Sequence, residues 1–170
     1  KPTKVAVLVD SSSAVHSRMF EALVPVAQQL RLDLLKVEAG RRPTDVQLPA
    51  AFATAAQHNV GAIFVLADEP FFFARRAEIA ALATQHRLPS FYGAREFVDA
   101  GGLMSYGESL AASWRSVADY ISKIAAGAKP GDLPVAQPTE FELVFNMKTA
   151  RTLGMSIPQS LLVSASEVIQ

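Results

Sequence analysis

The chain has 170 residues, half of them hydrophobic, with a mean hydropathy of +0.21. Its sixteen basic residues balance sixteen acidic ones, which excludes a nucleic-acid or anionic-membrane surface built on bulk charge. It has no cysteine, so a disulfide framework and a thiolate metal site are excluded too. The length suits one domain with a sizeable core, and the expected partner is a small molecule or a protein.

Lys1-Pro2-Thr3-Lys4 leads straight into a strand without a secretory signal, so export would need a signal outside this sequence. Val5-Ala6-Val7-Leu8-Val9 is a continuous apolar run ending in Asp10-Ser11-Ser12-Ser13, which reads as a strand buried on both faces followed by a polar turn. Met19, Phe20, Leu23, Val26, Ala27 and Leu30 then share one helical face, and Pro25 among them predicts a kink or break. A second strand over 32–37 and a helix over 45–58 follow, the latter containing Pro49.

Ala62-Ile63-Phe64-Val65-Leu66 is another buried strand, ending in Ala67-Asp68-Glu69-Pro70. A helix over 72–86 and a short fourth strand over 88–92, ending at Gly93, come next. Each strand precedes a helical pattern, the mark of βαβ units and an α/β fold with an open, mostly parallel sheet. In such sheets ligands bind at the carboxyl ends of strands.

Beyond this point Gly101-Gly102 and Gly107 flank a very short strand. Leu110, Trp114, Val117, Ile121 and Ile124 then mark a long amphipathic helix ending near Gly127. After the loop around Pro130, Phe141, Leu143 and Phe145 alternate with Glu140 and Glu142 as a strand emptying into a helix, with Asn146 positioned to cap it.

Neither a GxGxxG nor a P-loop pattern is present, so no cofactor is indicated. His16 lies near the serines, but there is no G-x-S-x-G elbow, and His58 and His86 lack metal-ligand spacing. The residues therefore nominate no reaction, and the expectation is a binding protein, not an enzyme.

Three longer strings carry more information. They are Phe91-Tyr92-Gly93 with Gly101-Gly102-Leu103-Met104-Ser105-Tyr106-Gly107, then Asp132-Leu133-Pro134-Val135, and the stretch from Gln137-Pro138-Thr139-Glu140 to Leu161-Leu162. Together they resemble the C-terminal half of ABC-transporter substrate-binding proteins of the tryptophan or aromatic amino-acid type. The resemblance implies one lobe of a two-lobed type I periplasmic-binding fold plus its crossover segments. It also implies capture of an amino acid or related compound by hinge closure, delivery to an ABC permease, and a periplasmic or extracytoplasmic location.

On this reading residues 1–106 form the lobe, 107–136 a crossover helix and loop expected to pack on the missing lobe or on a partner chain, and 137–170 a returning strand and closing helices. The crossover helix needs something to cover Trp114 and Ile121, so a homodimer through it is expected. Candidate ligand contacts are the hydroxyls of Ser11 and Ser12 at a helix N-terminus, the carboxylates of Asp68 and Glu69, and Tyr92, Gly93, Ser105 and Tyr106 at later strand ends. The relatives often carry Asn-Pro where Asp10-Ser11 stands here. A second reading is a receiver-like signalling domain, with Asp10 and Asp68 as an acidic pocket.

Overall fold

The computed structural model describes residues 3–40, 42, 45–66 and 70–170. Asp68 and Glu69 lie outside them. In chain order the elements are β1 (Lys4–Asp10), α1 (Ala14–Gln29), β2 (Asp33–Ala39), α2 (Leu48–Gln57), β3 (Ala62–Val65), α3 (Pro70–Ala74), α4 (Arg76–Gln85), β4 (Ser90–Tyr92) and α5 (Arg95–Asp99). Then follow β5 (Met104–Glu108), α6 (Leu110–Ala125), a 3-10 turn at Pro130–Asp132, β6 (Phe141–Asn146), α7 (Met147–Thr152), α8 (Gln159–Ser164) and β7 (Glu167–Ile169). The seven strands form one sheet in the order β2-β1-β3-β4-β5-β6-β7, parallel except where β5 meets β6.

This order decides which face each helix covers. The step from β1 to β2 runs one way along the sheet, and the steps from β2 through β5 run the other way. Right-handed crossovers then put α1 on one face and α2, α4 and α5 on the opposite face. The second of these faces holds the main core, where Ala6, Leu8, Ile63, Val65 and Tyr92 meet Phe52, Ile79 and Phe97. The α1 face holds only a small cluster of Val7, Val9 and Leu66, with Phe20, Leu23 and Phe64 partly buried beside it.

Pro25 does not break α1, which runs through it without interruption. Pro25 and Glu21 are both exposed, so water can take the carbonyl that the missing N–H leaves unpaired. Pro49 falls in the first turn of α2, where a proline costs nothing. The helix expected over 72–86 is instead two, divided at Arg75. That break lets Phe72 stack on His16 at 5.7 Å while Phe73 meets Phe97 edge-on at 6.1 Å.

The closing segment belongs to the same sheet, because β6 pairs with β5 and β7 pairs with β6. Arg95 pins this end. Its guanidinium reaches Glu167 at 2.8 Å and both Glu142 and Asp99 at 3.5 Å, and the Glu167 hydrogen bond is the main reason its pKa is raised further. The α6 helix stands apart: none of its sixteen residues is buried.

Candidate functional site

The carboxyl ends of β1, β3, β4 and β5 lie side by side at one end of the sheet, so the turns that follow β1, β4 and β5 share a common rim. At β1 the rim is a braced turn. Asp10 is buried, and its Oδ1 accepts from the Ser12 N–H at 2.7 Å and from the Ser12 hydroxyl at 2.6 Å. Nδ1 of buried His16 accepts the Asp10 N–H at 2.8 Å, which leaves the imidazole proton on Nε2.

Ser13 caps α1 by accepting the His16 N–H at 3.2 Å. Of the three serines, only exposed Ser11 keeps its hydroxyl uncommitted among the described residues, although its N–H donates to Ala39. It stands at the positive end of a sixteen-residue helix, where a negative ligand group is favoured. The composition of the turn was legible in the sequence. The brace by His16 was missed, and its place in the first turn after a capping serine was the available signal.

The later candidates divide between the two faces of the sheet, because successive strand residues point opposite ways. Tyr92 and Ser105 are register partners on the main-core face, 0% and 1% exposed. The Tyr92 ring stacks on Phe97 at 4.8 Å. Their side chains therefore sit in the core beneath the rim. Tyr106 faces the other way, is 54% exposed and stacks on Phe141 at 5.9 Å.

Gly93 lies on the rim itself and lines a cavity of about 620 Å³ that runs down the α1 face of the sheet past Met19, Phe64, Leu66 and Phe73. Glu108 is the carboxylate at its wall. Sequence reading did not single out Glu108 or Met19, since neither is marked by a local motif.

The Tyr92 and Ser105 hydroxyls are buried without a hydrogen-bond partner among the described residues. Burial pushes the Tyr92 phenol well above its ordinary value, an effect only partly offset by the Ser90 hydroxyl, which lies close but outside hydrogen-bonding geometry. The folded chain thus holds this proton more tightly than the unfolded one. Its stabilising share is complete below about pH 10, the ordinary phenol value, and is lost as pH rises beyond it. Tyr92→Phe is expected to raise stability at neutral pH by about 1 kcal/mol and to flatten the alkaline fall, measured by urea unfolding across pH.

The sequence matches the family model for ABC transporter substrate binding proteins over residues 2–169. The chain belongs to that family. No match is found among curated protein sequences. Solved structures similar to this substrate-binding family member include a conserved domain protein from Vibrio cholerae O1 biovar El Tor, at 24% identity and a TM-score of 0.82, covering 99% of this chain and 55% of that one. Another is the ABC domain from Streptococcus pneumoniae in complex with L-Trp, at 23% identity and a TM-score of 0.84, with coverage of 99% and 55%.

A third is the ligand-free, open form of CD0873 from Clostridium difficile, a substrate-binding protein with adhesive properties. It shows 16% identity and a TM-score of 0.72, covering 100% of this chain and 55% of that one. The likeness shows a substrate-binding-protein fold, and the chain spans about half the length of these structures. Among the described residues, no helix is long and apolar enough to cross a membrane, and no group of three His, Cys, Asp or Glu could hold a metal ion.

Proposed function

We propose that this chain is the solute-capturing lobe of an ABC-type uptake system, closing by hinge motion on an amino acid or related compound and presenting it to a permease outside the cytoplasm. The observation that carries the reading is the shared rim, where Ser11 offers an uncommitted hydroxyl at the N-terminus of α1 and, across the end of β3, Gly93 offers exposed backbone. Asp68 and Glu69 follow β3 in sequence, and we assign them the ligand's amino group. The L-Trp complex of the pneumococcal structure supports an amino-acid ligand.

Binding energy in this mechanism comes from contacts made only in the closed state, with each lobe supplying part of them. Titration calorimetry of this chain alone with L-tryptophan should therefore show no micromolar binding. In a polypeptide that also carries a second lobe, Asp68→Ala should weaken binding by about 10-fold or more, the worth of a charge-assisted hydrogen bond. Unchanged affinity in that variant would remove Asp68 from the site.

A further inference from the structure

His16 is fully buried beneath the rim, and its ring makes two contacts there. The first is to the end of β1. The Ser11 N–H turns toward β2 and donates to the Ala39 carbonyl, while the pairing of β1 with β3 ends at Leu8 and Val65, two residues before Asp10. The Asp10 N–H lies past the end of that ladder in a buried position, where a donor left without an acceptor is destabilising. His16 Nδ1 supplies the acceptor at 2.8 Å.

The start of α1 gives the side chain this reach. Ser13 caps the helix, which puts His16 at the third helical position, and Ser13 Oγ accepts the His16 N–H at 3.2 Å. A polar side chain at that position ordinarily reaches back to the N–H of the cap residue. Here it reaches three residues further, to Asp10, and encloses Ser11 and Ser12. Since Asp10 Oδ1 in turn holds the Ser12 N–H and hydroxyl, the shape of the turn follows from where the Asp10 peptide is held.

The second contact is to α3. Phe72 is also fully buried, and the imidazole stacks on it with centroids 5.7 Å apart and planes 27° from parallel. Rotation about the last bond of a histidine side chain is soft, so the stack fixes the plane of the ring. Of the two orientations that share this plane, only one turns a nitrogen lone pair to the Asp10 N–H. A tilt of α3 would carry the ring with it and misalign the bond, which weakens steeply with angle. That helix begins at Pro70, directly after Asp68 and Glu69 in sequence.

We propose that His16 is a positioning residue of the ligand rim. Through Phe72 on one side and the Asp10 peptide on the other, it sets the Ser11 turn relative to the helix that follows Asp68 and Glu69, so that the two groups of contacts meet a ligand together. His16 itself touches no ligand in this role. The proposal rests on the ligand reading above for what the rim holds, but the link between the turns can be measured without it.

Amide hydrogen exchange on this chain is the first test, with the Ile63 N–H, which donates to the Pro89 carbonyl at 2.9 Å, as the reference for global opening. His16→Phe keeps an aromatic ring against Phe72 and removes the acceptor, so exchange at Asp10 and Ser12 relative to Ile63 should rise by about 10-fold or more. His16→Asn places Oδ1 as many bonds from Cβ as Nδ1 was and should restore most of the protection at Asp10. Phe72→Leu changes no atom bonded to either amide, yet it should speed both by about 3-fold. A purely structural role would move Ile63 along with them.

In a polypeptide that also carries a second lobe, titrated with L-tryptophan, His16→Phe should raise Kd by about 10-fold and His16→Asn by less than about 3-fold. Exchange ratios indifferent to His16→Phe or to Phe72→Leu would overturn the proposal, as would a Kd that His16→Phe leaves unchanged. If the unsubstituted polypeptide does not bind L-tryptophan, that counts against the ligand reading, and the exchange ratios by themselves decide whether His16 links the two turns.

Discussion

Gly107→Ala should destabilise the chain by at least about 3 kcal/mol, the upper range for forcing an extra carbon into a packed site. A Cβ at Gly107 would overlap the carbonyl oxygen of Gly93 and lie 2.7 Å from its carbonyl carbon. Both neighbours are backbone atoms, so no side-chain rotation relieves the clash. The ends of β4 and β5 would have to part, and the rim would part with them. Gly93→Ala is the control: a Cβ there meets nothing within 4 Å, so the change should stay within about 0.5 kcal/mol. Urea unfolding with a constant m-value distinguishes the two. Equal midpoints for both variants would show that the two strand ends are not in direct backbone contact.

Asn146→Ala should cost about 2–3 kcal/mol. Asn146 ends β6 and caps α7, with Oδ1 accepting the Thr149 N–H at 3.0 Å. Its Nδ2 donates to the Val98 carbonyl at 3.3 Å, and its own N–H donates to Leu103 at 2.9 Å. Nearby, the Thr149 hydroxyl donates to Gly101 at 2.8 Å. One largely buried amide thus joins the closing strand, its helix and the turn between α5 and β5. Alanine would leave the Thr149 N–H and the Val98 carbonyl buried without these partners. Asn146→Asp keeps the cap acceptor but turns a carboxylate oxygen toward Val98, so it should recover little. Thermal unfolding of the three proteins side by side checks both expectations.

Much of the fold was legible because its signals are local. The run Val5-Ala6-Val7-Leu8-Val9 became an interior strand with 6–9 buried. Asn146 caps a helix where its position predicted a cap. The expectation failed where a distant partner intervened: the 72–86 segment divides at Arg75, with Phe72 stacked on His16 and Phe73 set against Phe97. The candidate site was legible only as turns. Ser11 and Gly93 reach the rim, while Tyr92 and Ser105 lie beneath it and Tyr106 is on the opposite face.

By itself, then, the sequence determined the alternation of strands and helices, the capping positions and the strings that mark the family. Each of these depends on residues two to four apart, a distance over which side-chain direction repeats. Only the tertiary structure decided which face each strand residue occupies, because that depends on the direction in which each crossover steps along the sheet. The same steps set α1 on the face opposite α2, α4 and α5.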